Sequence, residues 1–119
     1  MTDGRRSLGQ SGERLAALHL EAKGYRIVGR NVRVSNTGEI DIVAVDDDTL
    51  VFVEVRTRRG LGLAGDSIHP RKAARMLSHA ENYEDLEHEA RRIDLVVVDL
   101  DEAGRLLGVE HIINAVTAD

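Results

Sequence analysis

The stretch Gly38 to Arg59, GEIDIVAVDDDTLVFVEVRTRR, decides the fold of this chain. Residues 39–45 and 49–56 are rich in Val, Ile, Leu and Phe, which favour β-strands. They flank three consecutive aspartates, which suit a tight turn. We therefore predict a β-hairpin with a two-residue loop at 47–48.

The length of this loop sets the pairing of the two strands. It places Asp41 opposite Glu54 and Glu39 opposite Arg56. Because side chains alternate between the faces of a strand, these four residues share one face. The other face is wholly apolar and carries Ile40, Ile42, Ala44, Val51, Val53 and Val55. A slip by one residue would bury the charges, so burial of the apolar face fixes the register.

Asp41 and Glu54 form the candidate metal site. Directly opposed side chains have Cβ atoms about 4.5–5.5 Å apart, and two carboxylates at that separation repel unless a cation neutralises them. Carboxylate oxygens are hard ligands that suit Mg²⁺ or Mn²⁺. The alternative is an exposed polar edge of the sheet, but Val43, Leu50 and Phe52 on the same face indicate a covered surface. We predict metal ligation.

Length and composition limit the class of protein. The 119 residues predict one domain over 1–119, with flexible tails at 1–6 and 115–119. There are no cysteines, which excludes disulfides, thiolate catalysis and cysteine-based zinc sites and agrees with a reducing cytoplasm. No apolar run reaches the roughly 20 residues of a membrane span, and the first ten residues lack the apolar core of a signal peptide. We expect a cytoplasmic protein with no membrane partner.

Charge is unevenly distributed along the chain. The net charge of −5 and the isoelectric point near 5.5 argue against a protein that coats nucleic acid. However, residues 56–75 carry six basic side chains and one acidic one, whereas residues 81–89 carry five acidic side chains and no Lys or Arg. The basic segment begins directly after Glu54. It predicts phosphate contacts from Arg58, Arg59, Arg71 and Lys72, with solvated surface charges as the alternative.

The rest of the chain supplies further elements. Residues 7–23 predict a helix that ends at Gly24, residues 25–34 predict a strand, and residues 35–38 form the turn into the hairpin. The glycine-rich stretch 60–65 predicts a mobile loop that acts as a lid. A second helix begins within 66–70 and ends near Glu87, and two strands follow at 93–100 and 106–113. The order α-β-β-β-α-β-β predicts an α/β domain with a mixed five-stranded sheet and helices on both faces.

Two further residues belong to the predicted site. Arg56 lies two residues beyond Glu54 on the same face, where it can meet a negative group bound at the metal. Glu13 lies on the first helix beside Ala16, Ala17 and Leu20, and a glutamate in apolar surroundings needs a partner. Glu13 reaches the same cation directly or through water, or it forms a cap or an ion pair with Arg33 or Arg56.

Asp41 followed after a hairpin by Glu54 and Arg56 resembles the core of the PD-(D/E)XK nucleases, in the form with a helix glutamate that is known from archaeal Holliday-junction resolvases. More specifically, the chain resembles the YraN family of small bacterial proteins, which are grouped with these endonucleases. The resemblance covers nearly the whole chain and rests on the ordered set Gly9, Gly12, Glu13, Ala16, Gly24-Tyr25, Asn31, Arg33, Gly38-Glu39-Ile40-Asp41, Phe52-Val53-Glu54-Val55, Arg58, Lys72 and Asp94.

This resemblance implies a restriction-endonuclease-like fold and metal-dependent hydrolysis of DNA phosphodiester bonds. It implies Asp41, Glu54 and the backbone carbonyl of Val55 as ligands of Mg²⁺ or Mn²⁺, with Glu13 as an outer ligand. The chain departs from the pattern at Arg56, where the family usually has lysine. A guanidinium keeps its charge, so Arg56 can clamp phosphate or stabilise the transition state but cannot act as a base.

Three functions remain open from the sequence. The first is a DNA endonuclease, structure-selective in the resolvase manner, for which a homodimer is one arrangement that would cut two strands. The second is a non-catalytic module for binding nucleic acid or protein, in which Arg56 marks lost chemistry. The third is an assembly factor without nucleic-acid contact. Asp94, in an aliphatic strand, is expected to pair with an arginine, and the five histidines lack metal-ligand spacing.

Overall fold

The computed structural model of the protein describes residues 4–34, 38–60, 68–85 and 87–117. Its elements follow the predicted order. They are the helices α1 (Gly4–Ala22) and α2 (Pro70–Asn82) and the strands β1 (Arg26–Arg33), β2 (Glu39–Asp46), β3 (Thr49–Arg59), β4 (Ala90–Leu100) and β5 (Leu106–Val116). None of the helices in this part of the chain is long and apolar enough to cross a membrane.

The five strands form one sheet in the order β1-β2-β3-β4-β5. The pair β3 and β4 is parallel, and the other neighbours are antiparallel. The predicted hairpin register is confirmed, because its pairs run from Asp46↔Thr49 to Ile42↔Val53. The α/β architecture with a mixed sheet is therefore confirmed.

A helix covers each face of the sheet. Buried residues of α1 pack with one set of strand residues, which includes Ile42, Val53 and Val96. Buried residues of α2 pack with the alternate set, which includes Val43, Phe52 and Leu95. Each central strand therefore buries both faces, as its continuous aliphatic sequence predicts.

The hairpin prediction is wrong at its open end. Ile40 does not share a face with Ile42, because it packs in the α2-side cluster with Val43. The β2–β3 ladder stops at Ile42↔Val53. Beyond that pair the Val55 amide donates to the Asp41 carboxylate at 2.9 Å, so a side chain takes the place of a backbone partner. We call the separated segments, residues 39–41 and 54–59, the fork.

Glu39 also forms an ion pair that the sequence did not predict. It joins Glu39 to Arg33 of the neighbouring strand β1, with 3.7 Å between oxygen and nitrogen. The ion pair of Glu39 with Arg56 stays a prediction. Arg33 and Glu39 are directly opposite each other in the antiparallel β1–β2 ladder, and this position explains the contact.

Several boundaries differ from the sequence-based expectations. Helix α1 begins at residue 4 rather than 7, and β5 continues to residue 116, so residues 4–6 and 115–116 of the predicted tails belong to regular elements. Helix α2 ends at residue 82, five residues before Glu87. Tyr83 adopts an extended conformation directly after the helix, and the Asp85 carboxylate then accepts the backbone amides of Glu87 and His88 at 2.8 Å each, which favours a turn over a continued helix.

Three predictions fall partly on residues outside the described ranges. They are the turn at 35–38, the lid at 60–65 and the start of the second helix within 66–70. Within the described residues, β4 begins at Ala90 rather than residue 93, because it pairs with β3 from Thr49↔Ala90 onwards.

Candidate active site

The fork brings the predicted carboxylates together. Asp41 and Glu54 are the residues of its two arms that lie nearest the end of the ladder, and they are close enough for the charge of Asp41 to act on Glu54. The side chain of Glu54 is only 12% exposed, so the alternative of an exposed polar edge does not fit.

The environment of Glu54 disfavours its charge. Burial, followed by the negative charge of Asp41, raises the pKa of Glu54 to about 7, although the hydrogen bond from Lys72 opposes the shift. A carboxyl group with its pKa near neutrality is found where like charges are forced together, which is common in functional sites.

Lys72 reaches the site from helix α2. Its Nζ donates to Oε1 of Glu54 at 2.8 Å, from the first turn of α2. The side chain is half exposed. Lys72 was predicted as a phosphate contact, and the structure places its ammonium group directly against a predicted metal ligand.

Glu13 approaches the fork from α1. Its neighbour Gly12 lets the helix lie close to β3, since a Cβ at that position would overlap Oγ1 of Thr57. Burial and the charge of Asp41 raise the pKa of Glu13, while a hydrogen bond with Asn31 and the charge of Arg30 lower it. Asp41 therefore interacts with carboxyl groups on both faces of the sheet, Glu13 on one side and Glu54 on the other.

Glu13 has two partners that the sequence did not predict. Asn31 hydrogen-bonds to it, and the guanidinium of Arg30 lies 4.0 Å from its carboxylate. The alternative of an ion pair with Arg33 or Arg56 stays a prediction. Asn31 adopts φ of 51°, which interrupts the alternation of β1. An asparagine inside the predicted strand was the signal, because asparagine tolerates this conformation better than most residues.

The donor set fits a hard divalent cation. A divalent cation would relieve the repulsion between two adjacent carboxylates, and Mg²⁺ commonly uses only one or two protein carboxylates. Within the described ranges, no group of three or more His, Cys, Asp or Glu side chains is close enough to hold a metal. The fitting set is therefore the Asp41–Glu54 pair, with Glu13 further out.

The remaining predicted site residues lie around the fork. Arg58 makes a two-fold contact with Asp99 of β4, at 2.7 and 3.1 Å, and its side chain is 16% exposed. Arg59 and Arg71 are exposed, and Arg56 is half-buried on β3. Arg59 and Arg71 therefore have the more accessible guanidinium groups.

Asp94 belongs to a separate network on the α1 face. It is fully buried and accepts hydrogen bonds from Arg92 at 2.8 and 3.0 Å and from the Asn114 amide at 2.9 Å. His111 Nε2 lies 2.7 Å from it, and Lys23 lies 2.7 Å from the other ring nitrogen. Because lysine only donates, Nε2 carries the proton given to Asp94. The expected arginine partner of Asp94 is thus confirmed as Arg92.

Protonation of Glu54 predicts an unusual dependence of stability on pH. Since its folded-state pKa is raised, Glu54 binds more protons in the native protein than in the unfolded chain between about pH 4.5 and 7, and its contribution to the free energy of unfolding falls as pH rises through that window. We expect Glu54→Gln to stabilise the metal-free protein by about 1–3 kcal/mol at about pH 8 and to have little effect at about pH 5.

Urea unfolding at both pH values in a chelator measures this effect. Glu81→Gln, an exposed glutamate on α2, is the matched control and should show no such difference. A Glu54→Gln variant whose stability differs from that of the parent protein by the same amount at both pH values would contradict the assignment.

Comparisons with known proteins agree over most of the chain. A model of the uncharacterised protein family UPF0102 matches residues 12–98. A UPF0102 protein of Dehalococcoides mccartyi is 47% identical over 107 residues, covering 86% of this chain and 88% of that protein. UPF0102 proteins of Pelotomaculum thermopropionicum and Roseiflexus castenholzii are each 43% identical over 122 residues, covering 97% and 98% of this chain and 99% and 98% of those proteins. The matched segment contains the whole candidate site.

Proposed function

We propose a function for this chain from one premise, that it belongs to the uncharacterised protein family UPF0102, which confirms the resemblance to the YraN family. The family description assigns no activity. We propose that the protein is a nuclease that uses Mg²⁺ or Mn²⁺ to hydrolyse DNA phosphodiester bonds.

One observation carries the proposal: the contact between Asp41 and Glu54 in the fork. Like charges that are buried together lower stability, so a fold that brings them together this closely points to a role for the pair. The Val55 amide holds Asp41 in place at 2.9 Å and so orders one half of the pair.

Asp41 and Glu54 would hold the cation, with the Val55 carbonyl as the family pattern implies and Glu13 through water. A bound divalent cation supplies charge stabilisation to a phosphate group and lowers the pKa of water. In that arrangement, the raised pKa of Glu54 supports the proposal, because a group that is half-protonated near neutrality is ready to lose its proton to a competing cation.

Lys72 and Arg56 provide the remaining charge. The Lys72 ammonium group is 2.8 Å from Glu54 and half exposed, so it can also donate to a phosphate oxygen or a water beside the carboxylates. Arg56 keeps its charge and stabilises negative charge that develops in the transition state. A lysine is thus present at the site from α2, although the hairpin position has arginine.

The same lysine favours a second candidate function. Lys72 already neutralises part of the charge on Glu54 without a metal. A non-catalytic nucleic-acid-binding or protein-interaction module would need no more than this internal cation. Metal binding and catalysis separate the two functions.

Calorimetric titration with Mn²⁺, followed by a cleavage screen over duplex, flap, junction and single-stranded DNA, tests the proposal. We expect Mn²⁺ to bind the parent protein and one of these DNA structures to be cut only in the presence of metal. The Arg56→Lys variant is the companion. An absence of Mn²⁺ binding in the parent would overturn the proposal, and activity that appears only in Arg56→Lys would favour the non-catalytic module.

A further inference from the structure

Basic side chains lie on both sides of the fork. On the α2 side they are Arg71 and Lys72, which the sequence already suggested. On the α1 side they are Arg30 and Arg33 of the edge strand β1, which the charge distribution along the chain did not single out because they lie far from the basic segment at 56–75.

The position of β1 follows from its register. Arg30 pairs with Ile42 and Arg33 with Glu39, so both arginines lie level with the start of β2 and with Asp41. Two strand spacings, about 10 Å, separate β1 from β3. That distance is within reach of two long side chains that contact neighbouring phosphates of one backbone.

Both arginines are accessible and weakly held. The side chain of Arg33 is 74% exposed and lies 3.7 Å from Glu39, and that of Arg30 is 40% exposed and lies 4.0 Å from Glu13. Neither distance is a hydrogen bond, and exposed pairs of this kind contribute little. Each guanidinium can therefore turn towards a phosphate.

The far end of the hairpin carries more exposed acidic groups than the fork. Arg92 pairs with Asp46 there at 3.3 Å, but Asp47 and Asp48 are exposed in the turn, and Glu89 lies beside it because Thr49 pairs with Ala90. Acidic residues at that end repel a polyanion, so a nucleic acid that approaches the protein is directed to the fork. This arrangement reconciles the net charge of −5 with a nucleic-acid partner.

We propose that Arg30 and Arg33 bind the phosphodiester backbone on the α1 side of the carboxylate pair, so that the backbone crosses the fork from β1 to the first turn of α2. This inference rests on the proposed nucleic-acid function and extends it to an edge strand. The contacts are to phosphate groups and give position without reading sequence.

Arg26 offers a matched control for Arg33. It is an exposed arginine on the same strand, but it pairs with Val45 next to the acidic turn. Fluorescence anisotropy with a short labelled DNA duplex, and with an RNA duplex of the same sequence, measures binding without divalent cations. We expect Arg33→Ala to weaken binding roughly three- to tenfold at low salt and to reduce the salt slope by about one, whereas Arg26→Ala has no such effect.

Dependence on Arg33 for either duplex, with Arg30→Ala acting in the same direction, supports the inference. Equal losses in Arg33→Ala and Arg26→Ala would overturn it, since they would report only net charge. No loss in Arg33→Ala, or no binding by the parent protein, would overturn it as well. Mn²⁺ titration separates the two proposals. If duplex binding depends on Arg33 but Mn²⁺ does not bind, this inference stands and the proposed hydrolysis fails. If DNA cleavage is the same in Arg33→Ala as in the parent protein, hydrolysis stands and this inference fails.

Discussion

Replacing Asp41 by asparagine is expected to lower metal-dependent DNA cleavage by about 10³-fold or more and to abolish measurable Mn²⁺ binding. The loss follows from removing one of two charged oxygen ligands, since a divalent cation contributes several kcal/mol of charge stabilisation and each 1.36 kcal/mol corresponds to a factor of ten. Asparagine keeps an oxygen that can accept the Val55 amide, so the local fold should survive.

Asp47→Asn is the matched control for this change. It removes the same charge from the same hairpin, but at the exposed turn, where φ of 51° suits asparagine. We expect it to keep both cleavage and Mn²⁺ binding. Thermal unfolding of both variants verifies that they fold. An Asp41→Asn protein that cuts DNA at the parent rate would remove the carboxylate pair from the mechanism.

The second large effect is on stability. We expect Asp94→Asn to lower the free energy of unfolding by about 3–5 kcal/mol, because it leaves the guanidinium group of Arg92 without its buried counterion. Asp94 is fully buried and accepts from Arg92, His111 and the Asn114 amide. Urea unfolding near neutral pH measures the loss.

Asp99→Asn provides the comparison. Asp99 lies on the same strand as Asp94 and makes a similar two-fold contact, with Arg58, but its side chain is 30% exposed. We expect it to cost about 1 kcal/mol. Burial alone would raise the pKa of Asp94, but its hydrogen bonds from His111 and Arg92 outweigh burial and hold the pKa below its usual range. The stabilisation is therefore present above the ordinary carboxyl pKa and is lost as pH falls towards the lowered value. Equal losses in the two variants would show that burial does not decide the effect.

Much of the fold follows from short-range rules. The alternation of apolar residues and the two-residue loop specified the hairpin pairs from Asp46↔Thr49 to Ile42↔Val53. Those rules also predicted that Asp41 lies near Glu54, and the two residues do interact although the ladder stops just before them, at Ile42↔Val53. Continuous aliphatic runs in the central strands predicted a sheet covered on both faces.

Contacts between distant segments were beyond those rules. Lys72 meets Glu54 because α2 crosses one face of the sheet, and Asn31 meets Glu13 because α1 crosses the other. The reversal of Ile40 could not be read from alternation either, since it depends on Asp41 accepting the Val55 amide and ending the ladder.

The sequence by itself thus determined the order of the strands, the register of the hairpin near its turn and the closeness of two carboxylates, because these depend on residues close together in the chain. Only the tertiary structure decided which cations and amides surround that pair, where Arg92 and His111 enclose Asp94, and how the edge strand β1 places Arg30 and Arg33 beside the fork. The physical reason is that helix packing and strand order bring together residues that are far apart in the chain, and the repeating pattern of apolar and polar residues does not predict such contacts.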